Sequence, residues 1–165
     1  MREVYLANVT IHVLAALFWI GGMFFFALVG APTLRRIESP GLRADLFRQL
    51  GERFRGAGWV AIGVLLATGT VNLWFGGLLR FDVLVDPDFW LSPYGRALAW
   101  KLVGVTAMLL VSALHDFVLG PRAARLEPGT PAARRARRRA ALLARGNALL
   151  GLIVVIIAVR LARGG

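Results

Sequence analysis

VYLANVTIHVLAALFWIGGMFFFALVGA, running from Val4 to Ala31, contains no Asp, Glu, Lys or Arg. An uninterrupted apolar run of this length crosses a bilayer, whose hydrocarbon core takes about 20 helical residues. Three further runs repeat the pattern, so the spans are expected near residues 4–31, 57–79, 97–120 and 140–159. The whole chain agrees, with 58% hydrophobic residues, 18% charged residues and a mean hydropathy of +0.66 over 165 residues. A chain this short has too much surface to hide that excess in a water-soluble core. The absence of cysteine removes a disulfide scaffold. The expected fold is all-α: a polytopic membrane protein, one four-transmembrane-helix bundle filling residues 1–165, in contact with the lipid bilayer. No internal repeat is evident in the residue identities.

The net charge of +11 sorts by loop. Arg35, Arg36, Arg43, Arg48, Arg53 and Arg55 follow the first span, and Arg122, Arg125, Arg134, Arg135, Arg137, Arg138 and Arg139 follow the third. The second loop sets Arg80 and Arg96 against Asp82, Asp86 and Asp88. With four spans, the two basic loops share one side. The positive-inside rule makes that side cytoplasmic, and both termini lie outside. The run RRARRR (134–139) then reads as a topology signal and a contact for lipid phosphates. No nucleic-acid-binding domain is recognisable, and none is expected. The amino-terminal run is too long for a signal-peptide h-region and lacks an A-x-A site, so it reads as the first span.

Ser39-Pro40 suits an N-cap followed by the first helical position. Leu42, Leu46, Leu50 and Phe54 then recur at four-residue spacing with charged residues between them. That predicts an amphipathic helix in the first cytoplasmic loop, lying on the membrane or packed on the bundle. Phe81, Phe89, Trp90 and Tyr94 suit an interfacial aromatic belt, and Asp86-Pro87-Asp88 suits a turn. Gly21-Gly22, Gly63, Thr68-Gly69-Thr70 and Gly146 with Gly151 are expected to admit close helix approach, and Asn72 and Asn147 to hydrogen-bond between helices.

Polar side chains inside a span are costly, and each raises a functional question. The two histidines, His12 and His115, and the single lysine, Lys101, all fall within spans. Lys101, Met108 and His115 are seven residues apart and share a helix face, with Ser112 close to the same stripe. Asn8, His12, Trp19 and Met23 share another. Counting about 1.5 Å per residue from the outer side brings His12 level with Met108 and Met23 level with His115. Imidazole with thioether suits copper, above all Cu(I), and also haem iron. Candidate copper ligands are therefore His12, Met108, Met23 and His115. The haem-b alternative uses His12, Lys101 and His115, although His12 and His115 differ by roughly 15 Å in depth, too far for opposite ligation of one haem. For His115 a structural cap with Asp116 and Arg145 stands beside the ligand reading. No nucleophile–base pair, phosphate loop or paired catalytic carboxylates appear in the spans. An enzyme is not expected; if there is one, it is a haem-dependent membrane oxidoreductase.

IHVLAALFWIGGMFF (Ile11–Phe25), ATGTVNLW (Ala67–Trp74) and PYGRALAWKL (Pro93–Leu102), in this order, resemble the copper-resistance protein D family. The resemblance implies an inner-membrane protein of copper uptake or tolerance, often beside a periplasmic copper-binding partner, with His12, Trp19, Asn72, Tyr94 and Lys101 at matching positions. A more distant likeness is to the four-helix membrane protoporphyrinogen oxidase family, which pairs a first-span histidine with a third-span lysine and is associated with haem. His12 and Lys101 occupy those positions. Whether the chain forms a homo-oligomer stays open.

Overall fold

The computed structural model describes residues 1–127 and 129–164. Four helices are long and apolar enough to cross a membrane: α1 (Arg2–Arg35), α2 (Pro40–Phe75), α5 (Pro93–Ala124) and α6 (Pro131–Ala162). Between α2 and α5 lie two single-turn helices, α3 (Phe81–Leu84) and α4 (Pro87–Leu91). Among the described residues there is no strand.

Each start and stop has a local cause. Ser39, Ser92 and Thr130 stand in extended backbone, accept a first-turn N–H on their side-chain oxygen, and precede a proline fixed for helix entry. Asp86 does the same for α4, with the Asp88 N–H donating to it at 3.0 Å, so the Asp-Pro-Asp sequence is a cap. α2 ends at Phe75, short of the expected residue 79, because the chain turns at Gly76-Gly77 and Gly77 takes φ +68°. The amphipathic turns from Pro40 to Phe54 exist, but they run unbroken into the second span as one 36-residue helix. Phe47 and Phe54 pack on Phe26 there, which holds this stretch against α1.

The bundle is inside out. Leu14, Leu17, Phe18, Leu28, Val60, Leu110 and Ile153 are exposed, as lipid-facing side chains are, while the core is small: Trp19, Ala61, Ile62, Met108 and Val154. In a bilayer, packing and interhelical hydrogen bonds hold helices together, since lipid is as apolar as leucine. Gly22 and Gly151 do admit neighbours, the Phe54 ring and the Met108 methyl respectively; Gly21, Gly63 and Gly146 face open space. α1 packs along α2, α5 along α6, and α1 joins the two hairpins through α6.

These hairpins are two versions of one design. Tyr5 and Tyr94, His12 and Lys101, Trp19 and Met108, and Pro32 and Pro121 stand at one constant separation along the chain. Each first helix widens to a π turn before its proline, Phe26–Gly30 in α1 and Leu114–Leu119 in α5, closed by Ala31 N–H to Phe26 O and Gly120 N–H to His115 O. The widening keeps the proline ring off the carbonyl four residues back, with which it would otherwise clash. Both hairpins then turn and re-enter at Ser39-Pro40 and Thr130-Pro131. The repeat escapes inspection of the residue identities because equivalent positions carry different chemistry.

Candidate functional site

The first polar cluster lies between α1 and α2, near the end of the bundle that bears both termini. Asn8 Nδ2 donates to the Thr68 carbonyl at 3.0 Å and to Asn72 Oδ1 at 2.9 Å. One turn deeper, His12 Nδ1 lies 2.7 Å from Thr68 Oγ1. The Thr68 hydroxyl is itself 2.6 Å from the Val64 carbonyl. A hydroxyl has one hydrogen and a carbonyl can only accept, so that hydrogen goes to Val64. Thr68 Oγ1 then accepts from His12 Nδ1–H, and the imidazole keeps its lone pair on Nε2. Gly69 packs beside the ring, where an added Cβ would meet His12 Cε1 at 3.5 Å, an ordinary van der Waals contact. Lys101 is the His12 equivalent in the second hairpin.

The second cluster lies deeper, where α1, α5 and α6 meet. Asn147, 4% exposed, donates Nδ2 to Ser112 Oγ at 2.8 Å, with Met23 Sδ at 4.0 Å. Asn147 Oδ1 and His115 Nδ1 are buried with no hydrogen-bond partner among the described residues. A buried polar group normally finds a partner or a water, so both atoms retain capacity for one more hydrogen bond or ligand. His115 opens on the π turn of α5, a distortion that recurs at functional sites.

The expected tiers are met in part. Met23 belongs to the second cluster beside Asn147. Met108, 2% exposed, sits in the apolar core, its methyl 3.0 Å from the position a Gly151 Cβ would take, beside Ile20. Among the described residues no hydrogen bond joins its sulfur to His12. The cap of His115, Asp116 and Arg145 does not form. Asp116 Oδ2 instead accepts from Trp59 Nε1 at 2.9 Å, its carbonyl accepts from Arg55 at 3.4 Å, and Phe117 packs on the Trp59 ring. Arg145 points into a recess with other arginines. Periodicity places Asp116 and Arg145 at matching depth but says nothing of the rotation of α6, which aims Arg145 away. Among the described residues no group of three or more His, Cys, Asp or Glu side chains could hold a metal ion. Thr68, which orients His12, was visible in the sequence only as a small packing residue; its place four residues before Asn72, on one face, was the available signal.

Comparison with known proteins adds one family and one relative. The family model described as "Copper resistance protein D" matches residues 48–161. A protein of Aquifex aeolicus (strain VF5), described as an uncharacterized protein, is 31% identical over 165 residues, covering 99% of this chain and 97% of its own length. No solved structure matches.

Proposed function

The chain belongs to the copper resistance protein D family, and from that membership we propose that this multi-pass membrane protein handles copper ions as cargo, with His12 as its principal nitrogen ligand. The observation that carries the reading is the 2.7 Å approach of His12 Nδ1 to Thr68 Oγ1, whose own hydrogen goes to the Val64 carbonyl: Nδ1–H donates to Thr68, and the Nε2 lone pair is left free to bind a metal. A metal-bound histidine is commonly oriented in this way by a hydrogen bond on its other nitrogen. Met23, Met108 and His115 supply thioether and imidazole donors further along α1 and α5, a soft set suited to Cu(I). Few and separate donors favour exchange over retention, as a carrier requires. The arginine-bearing end is assigned to the cytoplasm of a bacterial-type inner membrane by the positive-inside rule, so copper meets His12 from the outer side, where a periplasmic copper-binding protein can deliver it.

The test is Cu(I) competition against a chromophoric chelator with the detergent-purified protein. His12→Ala should lower affinity at least tenfold while the helical circular dichroism signal persists. Thr68→Val, which removes only the orienting acceptor, should cost about tenfold, the low end for a group behind a metal ligand. Unchanged Cu(I) affinity in His12→Ala, or a Soret band in the purified protein that His12→Ala abolishes, would overturn the reading, the second in favour of haem.

A further inference from the structure

At the end of the bundle away from both termini, Arg35 at the tip of α1 and Arg134, Arg137, Arg138 and Arg145 of α6 line one recess of about 460 Å³, with Leu142 completing its wall. Among the described residues the ion pairs are Arg48 with Asp45 and Glu52, and Arg80 with Asp82, so none of the five guanidiniums has a carboxylate beside it. Like charges three and four residues apart on a helix repel and destabilise it. Five gathered without a counter-charge therefore describe a place for an anion. The chain does not gather all its basic residues here: Arg135 and Arg139, in the same run, do not line the recess.

We propose that this recess binds the headgroup of an anionic phospholipid, best one carrying two phosphates. Two features favour a lipid over a free phosphate. Arg134 and Arg145 are eleven residues apart, about 16 Å along the helix, longer than one phosphate spans. Past Arg145 the same face of α6 continues as Leu149, Leu152 and Ile156, respectively 57%, 46% and 52% exposed, a strip on which acyl chains can lie. Guanidinium forks match phosphate oxygens in pairs, which suits arginine to this task over lysine. Arg35 contributes from α1, so a headgroup held here also ties the first hairpin to the second.

The experiment is native mass spectrometry and thermal shift on delipidated protein, titrated separately with tetraoleoyl cardiolipin, phosphatidylcholine and inorganic phosphate. Cardiolipin should bind saturably and raise the melting temperature, and the other two should not. Arg137→Gln with Arg138→Gln should weaken cardiolipin about 30-fold, from about 1 kcal/mol per arginine at 1.4 kcal/mol per tenfold. Arg135→Gln with Arg139→Gln removes the same charge from outside the recess and should leave affinity within threefold. Should the first pair fail to fold, Arg145→Gln alone is expected to cost about fivefold on the same arithmetic. Equal losses in the two paired variants would reduce the effect to net charge and overturn the site. Equal stabilisation by phosphatidylcholine, or by inorganic phosphate, would overturn the lipid assignment.

Discussion

Gly95→Ala should destabilise the protein by about 3 kcal/mol or more, the upper range for overpacking. Gly95 is the third residue of α5, its N–H donating to the Ser92 cap at 3.0 Å. The chain just before that cap folds back over it. A Cβ on Gly95 would overlap the Phe89 carbonyl and approach the Trp90 Cα to 2.9 Å. Both neighbours are backbone, held by the capped turn of α4, so neither can swing aside as a side chain would. Gly21→Ala is the matched control: it lies in the interior of α1 with nothing within 4 Å of the added methyl. That substitution should be neutral or stabilise by up to about 1 kcal/mol, the difference in helix propensity. Thermal unfolding in detergent separates them, and a Gly95→Ala protein melting with the wild type would refute the packing of α4 on α5.

Met108→Ala should cost about 2–5 kcal/mol, because it empties the centre of the core. Met108 is the most buried large side chain, flanked by Gly151 and Ile20 and clustered with Trp19, Ile62 and Val154. Met108→Leu keeps the volume and removes only sulfur, and should cost less than about 1.5 kcal/mol. The pair divides two roles of one residue. Loss of stability in the alanine variant alone reports packing. A fall in Cu(I) binding in the leucine variant, at unchanged melting temperature, reports the thioether as a ligand. Full Cu(I) binding by Met108→Leu would confine copper to His12, Met23 and His115.

The sequence was most informative where one residue type has one use. Apolar run length gave four spans, and the Ser39-Pro40 dipeptide gave the helix start at Pro40, whereas the start at Thr130-Pro131, nine residues ahead of the expected fourth span, was not read. The interhelical bonds of Asn72 and Asn147 were expected from polar amides in apolar helices, and they form. Partner identity was less legible. A stripe on a helix fixes which side chains share a face, and leaves open which neighbour that face meets. Asp116 therefore went to Trp59, whose indole N–H gave no signal in the sequence, instead of to Arg145. Tertiary contact likewise joined the amphipathic turns to α2: nothing between Gly51 and Gly58 breaks a helix firmly enough once Phe54 is docked on α1.

Helix length carries a consequence of its own. α2 has 36 residues and α6 has 32, about 54 Å and 48 Å of helix, against a hydrocarbon slab of about 30 Å. Trp74, Trp90 and Tyr94 stand at the end bearing both termini, and aromatic side chains of this kind prefer the headgroup level. The surplus therefore collects at the opposite end, where every turn added beyond the lipid carries arginine. The length of helix beyond the slab thus sets how far the arginine-bearing turns can stand above the lipid.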